Sequence, residues 1–189
     1  MELTGPEKRI LLSAARESIK SIFEDTSVQS PNYNMHPDLK LNAGAFVTLR
    51  INSELKGCIG YIISKTPLFE TVCEAAKQAA FNDPRFFPLE EEELPKVNIE
   101  ISVLSIPVPI NSYEEIIIGK HGLILEEDGH RGLLLPQVAS ENNFTREQFL
   151  TAICEKAMVF PELWKDKKLK INIFTAAVFS EEDEEERQI

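Results

Sequence analysis

From residue 44 to residue 51 the side chains alternate, with Ala45, Val47, Leu49 and Ile51 on one side and Phe46, Thr48 and Arg50 on the other. Only an extended strand sends successive side chains to opposite faces, so this segment is a strand with one buried face. The polar triplet Asn52-Ser53-Glu54 follows, and residues 55–63 are again β-like, which makes a hairpin. Residues 97–104 repeat the alternation, setting Val97, Ile99, Ile101 and Val103 against Asn98, Glu100, Ser102 and Leu104. Between these strands, residues 67–81 carry Leu68, Val72, Ala75, Ala76, Ala79 and Ala80 at helical spacing. A helix with so many alanines on one face packs closely against its neighbour, and it must stop before Pro84.

The flanking segments are of both kinds. A first helix starts near Thr4, whose capping box Thr4-Gly5-Pro6-Glu7 precedes an apolar stripe of Ile10, Leu11, Ala14, Ile19 and Phe23. Residues 25–42 are polar, punctuated by proline and aperiodic, a surface excursion of the length that often carries function. Pro107 and Pro109 end the 97–104 strand or hold its continuation at an edge. Residues 123–125 and 132–135 flank an Asp128-Gly129 hairpin turn, residues 145–158 are helical, and residues 169–179 read as one long strand. Strands and helices in mixed succession imply an α+β fold with mixed, mainly antiparallel sheets and packed helices.

Charge narrows the partners. The 189 residues carry a net charge of −11, which argues against a bulk electrostatic grip on nucleic acid or anionic lipid. Part of that acidity lies in the run of acids at 181–186, best read as an unstructured, solubilising extension over residues 181–189. No apolar stretch reaches the length needed to span a bilayer, and the N-terminal residues lack the pattern of an export signal. Cys58, Cys73 and Cys154 are odd in number and widely spaced, which fits a reducing cytoplasm and neither a disulfide framework nor a structural metal site. No cofactor is implied.

The most unusual local sequence is Leu55-Lys56-Gly57-Cys58-Ile59-Gly60, a strand with two glycines around a thiol. Glycine weakens a strand, so its presence there implies a bulge, a positive φ, or a ligand or second backbone in close approach. Two readings of Cys58 follow: a thiol made accessible by missing side chains, with Lys56 stabilising negative charge, or a small buried residue beside a bulge. Glu100 stands between Ile99 and Ile101 with Asn98 and Ser102 on its face; it is either an acid–base group or an ion-paired solvent-facing carboxylate. Arg85, after Asp83-Pro84, either lines the same cleft as an anion contact or pairs with Asp83 across a turn. Cys73 and Cys154 lie among apolar helical residues and read as core. His121 and His130 read as surface histidines around an acidic turn, and Trp164 as an aromatic anchor.

The hexapeptide closely resembles the Leu-Arg-Gly-Cys-Ile-Gly signature of the AMMECR domain family. The resemblance extends through Ala75-Ala76, Ala79-Ala80, Asp83-Pro84-Arg85-Phe86, the strand from Ile99 to Leu104, the stretch from Gly132 to Val138, and the region of Phe149, Leu150, Cys154 and Trp164. Lys56 stands where the signature has arginine, which keeps the charge and loses the planar fork. The resemblance implies a compact α+β unit over residues 1–180, built of two intertwined subdomains, with no established activity and no catalytic residue to carry over. It also implies an association with Memo-like and radical-SAM proteins.

Together these readings make a cytoplasmic AMMECR-like protein that binds a small ligand or a partner at a cleft near the motif. The expected binding residues are Lys56, Gly57, Cys58, Ile59, Gly60 and Arg85, with the cleft expected between the subdomains. The alternative is an enzyme using Cys58 as nucleophile with Glu100 or Lys56 assisting. No metal is expected.

Overall fold

The computed structural model describes residues 3–186, with side chains described as far as Asp183. It divides into two compact units: residues 1–104 with 177–189, and residues 105–176. The second unit is an insertion in the chain of the first.

In the first unit, helix α1 (Gly5–Glu24) starts where its sequence says it should. The Thr4 hydroxyl accepts from the Glu7 N–H, and Glu7 returns the bond to the Thr4 N–H at 2.9 Å. Strands β1 (Ala45–Ile51) and β2 (Glu54–Tyr61) form the expected hairpin, helix α2 (Leu68–Phe81) follows, and β3 (Val97–Leu104) pairs with β1 on its other side. With β8 (Ala176–Ser180) the sheet has the order β2-β1-β3-β8, so β2 is an edge. Ala45, Val47, Leu49, Ile99 and Ile101 are fully buried together with Leu11, Ala15 and Ile19 of α1 and Val72, Ala75 and Ala76 of α2. One sheet face thus carries the helices and the core, and strand alternation turns Thr48, Cys58, Glu100 and Ser102 to the other.

The 25–42 excursion is tied down. Val28 and Tyr33 pack on the core, Leu39 is fully buried, and the Leu68 N–H donates to the Leu41 carbonyl.

The second unit holds a sheet of order β4-β7-β5-β6, made of β4 (Val108–Pro109), β5 (Gly122–Glu127), β6 (His130–Leu134) and β7 (Ile171–Phe174). Pro109 lies in its edge strand, as a residue without an N–H must. Asp128 and Gly129 turn the β5–β6 hairpin with φ of 47° and 83°, the two positive values of a type I′ turn. Besides the short α3 (Pro136–Glu141) and α5 (Leu163–Asp166), the unit has α4 (Arg146–Lys156), capped by the Thr145–Gln148 box. Helix α4 buries Phe149, Leu150, Ile153 and Cys154 against Leu123, Leu125 and Ile171.

Three expectations change. Residues 169–179 are two strands in different sheets, because Thr175 leaves the ladder: its carbonyl accepts from the Ser105 N–H, and its N–H donates to Ser105 Oγ, both at 2.9 Å. His121 is buried, with Nδ1 within hydrogen-bond distance of the Ile117 N–H and the Glu115 carbonyl. The acidic segment begins as a helix, α6 (Glu181–Glu186), and residues 187–189 lie outside the described residues. Ser180 Oγ accepts from the Asp183 N–H, and Glu181 Oε2 accepts from the Ile99 N–H at 2.9 Å and from Arg16 at 2.6 Å. Arg16 also donates to the carbonyls of Leu94 and Val97, so Glu181 ties α1, β3 and α6 together. Glu181→Ala strips the Ile99 N–H of its acceptor and is expected to cost about 2 kcal/mol in denaturant unfolding. A change below about 0.5 kcal/mol would show the acidic segment to be dispensable.

Candidate functional site

The motif that dominates the sequence is edge strand β2, and its residues divide by face. Lys56 is an extra residue: Leu49 pairs with Gly57 while Arg50 pairs with Leu55, so β2 bulges at Lys56. Its ammonium lies 2.8 Å from Glu93, a carboxylate that also accepts from the Glu90 N–H. That backbone bond first, and Lys56 second, hold the Glu93 carboxyl below its usual range. Gly57 faces α2, where a Cβ would stand 2.0 Å from the Ala79 carbonyl oxygen. The close approach expected from the glycine is therefore that of a second backbone. Ile59 lies on the same side and packs on the core.

Cys58 and Gly60 point the other way. Cys58 pairs with Thr48, and Thr48 pairs with Glu100 on β3, so these three side chains form a row across the sheet. Phe46, Gly60 and Ser102 make the adjacent row, and Arg50 stands opposite Asn98 on the other side. The Thr48 hydroxyl donates to Cys58 Sγ at 3.3 Å. Thr48 and Ser102 are buried, whereas Cys58 and Glu100 are half-buried. Asn98 Oδ1 is buried without a hydrogen-bond partner among the described residues.

Arg85 holds the outer edge of β2. The Cys58 N–H donates to Asp83 Oδ2 at 2.9 Å, and Arg85 Nη2 donates to the Cys58 carbonyl at 3.1 Å. Arg85 in turn donates from Nη2 and Nε to the Asp83 carboxylate, at 2.7 and 2.9 Å, and its N–H reaches the same group. The two side chains thus take the place of a neighbouring strand and satisfy the exposed edge at Cys58. Arg85 holds the Asp83 carboxyl well below the usual range, with help from the Cys58 N–H.

The fold thus brings Cys58 and Glu100 to one face, with Gly60 beside them, and anchors Arg85 at the same strand. It turns Gly57 and Ile59 inward and engages Lys56 with Glu93. Thr48, central to the row, carries no signal of its own beyond its place in the alternation. Asp83 is recognisable from its place before Pro84, as a turn residue. His130 Nδ1 sits by the Ala157 carbonyl, Trp164 Nε1 donates to Thr151, and no cluster of three metal-ligating side chains occurs among the described residues.

Comparison with known proteins agrees with this architecture. A protein of Saccharolobus islandicus is 40% identical over 191 residues, covering 95% of this chain and 84% of its own. One from Aquifex aeolicus is 38% identical over 182 residues, covering 93% of each chain. The crystal structure of an uncharacterized protein from Pyrococcus horikoshii superposes with a TM-score of 0.80 at 36% identity, over 91% of this chain and 90% of the other. The AMMECR1 family model matches residues 12–179, nearly the whole chain. The chain belongs to the AMMECR1 family.

Proposed function

We propose that the face of the β2-β1-β3-β8 sheet turned away from the helices binds a small polar ligand, with Cys58, Thr48 and Glu100 as its contacts; Gly60 beside them is closed off by the Ala45 carbonyl and Phe46, which a Cβ there would meet at 2.3 and 2.5 Å. The observation that carries this is the row itself: a half-buried thiol and a half-buried carboxylate flank a buried hydroxyl on one rigid surface. Convergent polar groups of differing chemistry on strands suit recognition, because strands hold them in fixed geometry. Lys56 and Arg85 frame the strand through Glu93 and Asp83.

Nucleophilic catalysis by Cys58 asks for a group that takes the thiol proton. Thr48 instead donates to Sγ and so is not placed to take its proton. Binding is therefore carried further than catalysis. The association with Memo-like and radical-SAM proteins, in a reducing cytoplasm, extends the proposal to partners that supply or receive the ligand. Co-purification from gentle native lysate tests that extension. Among the described residues no helix is long and apolar enough to cross a membrane.

The test is peptide-resolved alkylation of the native protein with iodoacetamide. Cys58 is expected to react in the folded state, Cys154 only after unfolding, and a low-molecular-weight cell extract is expected to slow the reaction at Cys58. A Cys58 that is inert until unfolding, or indifferent to every extract fraction, would sink the proposal.

A further inference from the structure

A second site lies on the helical side of the first unit, where a cavity of about 670 Å³ is lined by α1, α2 and residues 25–30. Ile22, Val28 and Phe69 give it an apolar wall. Two polar atoms in its lining are buried without a hydrogen-bond partner among the described residues: Ser18 Oγ, on a residue 1% exposed, and Glu70 Oε2. Buried polar atoms are nearly always satisfied, and a carboxylate oxygen can be satisfied only by a donor.

The carboxylate is held for that purpose. Tyr33, from the 25–42 excursion, donates its hydroxyl to Glu70 Oε1 at 2.7 Å. Burial and the Glu70 carboxylate push the Tyr33 phenol up to about 12, so it remains a donor through neutral pH. One oxygen is thereby fixed, and the other is left for a ligand. The neighbouring groups are already engaged: Glu74 takes Lys77 at 3.0 Å and Gln78 at 2.8 Å. With Asp25, Glu70 and Glu74 against Lys77, the lining is net negative, which disfavours phosphate or carboxylate ligands.

We propose that this cavity binds a small organic cation, a primary alkylammonium with a short apolar group. Its ammonium donates to Glu70 Oε2 and to Ser18 Oγ, and its hydrocarbon part lies against Val28 and Phe69.

Cys73 provides the reporter, because it lines the cavity and is half-buried, not sealed in the core as its sequence setting implied. Burial pushes its thiol up, so its alkylation is slow enough to time. Phenethylamine is titrated against iodoacetamide at pH 7, where the ammonium form is unreactive, and phenethyl alcohol serves as the neutral isostere. The amine is expected to slow Cys73 alkylation about fivefold once it stands at about four times its dissociation constant, and the alcohol much less. Glu70→Gln is expected to reduce the amine's protection to that of the alcohol. If that variant's Cys73 rate without probe shows a disturbed fold, Val28→Trp, which fills the apolar wall with Glu70 intact, must abolish protection. Equal protection by amine and alcohol, or none by the amine up to about 10 mM, overturns the assignment. The outcome is independent of the Cys58 experiment, because the two cysteines report on different faces of the unit.

Discussion

Gly57→Ala is expected to lower the melting temperature by on the order of 10 °C. The added Cβ would lie 2.0 Å from the Ala79 carbonyl oxygen and 3.0 Å from its carbon. Those are backbone atoms inside α2, so no rotamer change relieves the overlap; the helix or the strand must move. Overpacking of this kind costs about 1–3 kcal/mol, and a backbone obstacle puts it at the upper end. The modest gain from replacing a strand glycine, roughly 0.5–1 kcal/mol, opposes it without cancelling it. Two controls separate this cause from glycine's conformational freedom. Ala79→Gly removes a methyl and leaves the carbonyl in place, so it should not rescue Gly57→Ala. Gly129→Ala meets nothing within 4 Å but sits at φ 83°, and should cost about 1 kcal/mol through backbone strain alone. A Gly57→Ala melting temperature within about 2 °C of wild type would mean that α2 slides freely over β2.

This steric role explains why the sequence shows the motif so clearly and its chemistry so poorly. Two glycines around a cysteine mark a close approach, but the sequence does not say whether a ligand or the chain itself approaches. At Gly57 it is the chain. Local signals were legible wherever a short-range rule sets the structure: the Thr4 box, the alternation of β1 and β3, the alanine face of α2, and the Asp128-Gly129 turn. What remained hidden depends on contacts far apart in sequence. Residues 169–179 look like one strand because the break at Thr175 is made by Ser105, 70 residues away. The acidic segment looks unstructured because Glu181 is placed by Arg16, 165 residues distant. The pairing of Cys58 with Glu100 needs the register through Thr48, which no local pattern supplies. Cys73 looks like core by helical spacing, yet it opens on a cavity that the 25–30 segment helps to line.

Asp83→Ala is expected to destabilise the protein by about 2–4 kcal/mol and to expose the edge of β2 at one residue. Its carboxylate is almost wholly buried and accepts from the Cys58 N–H and from three N–H groups of Arg85. Arg85 is half-exposed, so solvent weakens the ion pair itself; the larger share of the effect lies in the buried oxygens and in the Cys58 N–H that loses its acceptor. Without Asp83, Arg85 also loses the anchor that aims Nη2 at the Cys58 carbonyl, so both edge groups of Cys58 are released together. Amide hydrogen exchange at Cys58 should therefore accelerate more than global destabilisation explains, and an unchanged Cys58 rate relative to β1 amides would refute the edge role. The pH dependence carries a second signature. Because the folded-state pKa of Asp83 lies below its unfolded value, near 3.9, its stabilisation is complete above about pH 4. It is then lost as pH falls through the folded pKa. Glu74 and Glu93, also lowered, act in the same direction, so the diagnostic quantity is the difference between wild type and Asp83→Asn. That difference should be largest above about pH 4 and shrink on acidification; a gap that stays constant down to acid unfolding would show that the Asp83 charge contributes nothing and that only its shape matters.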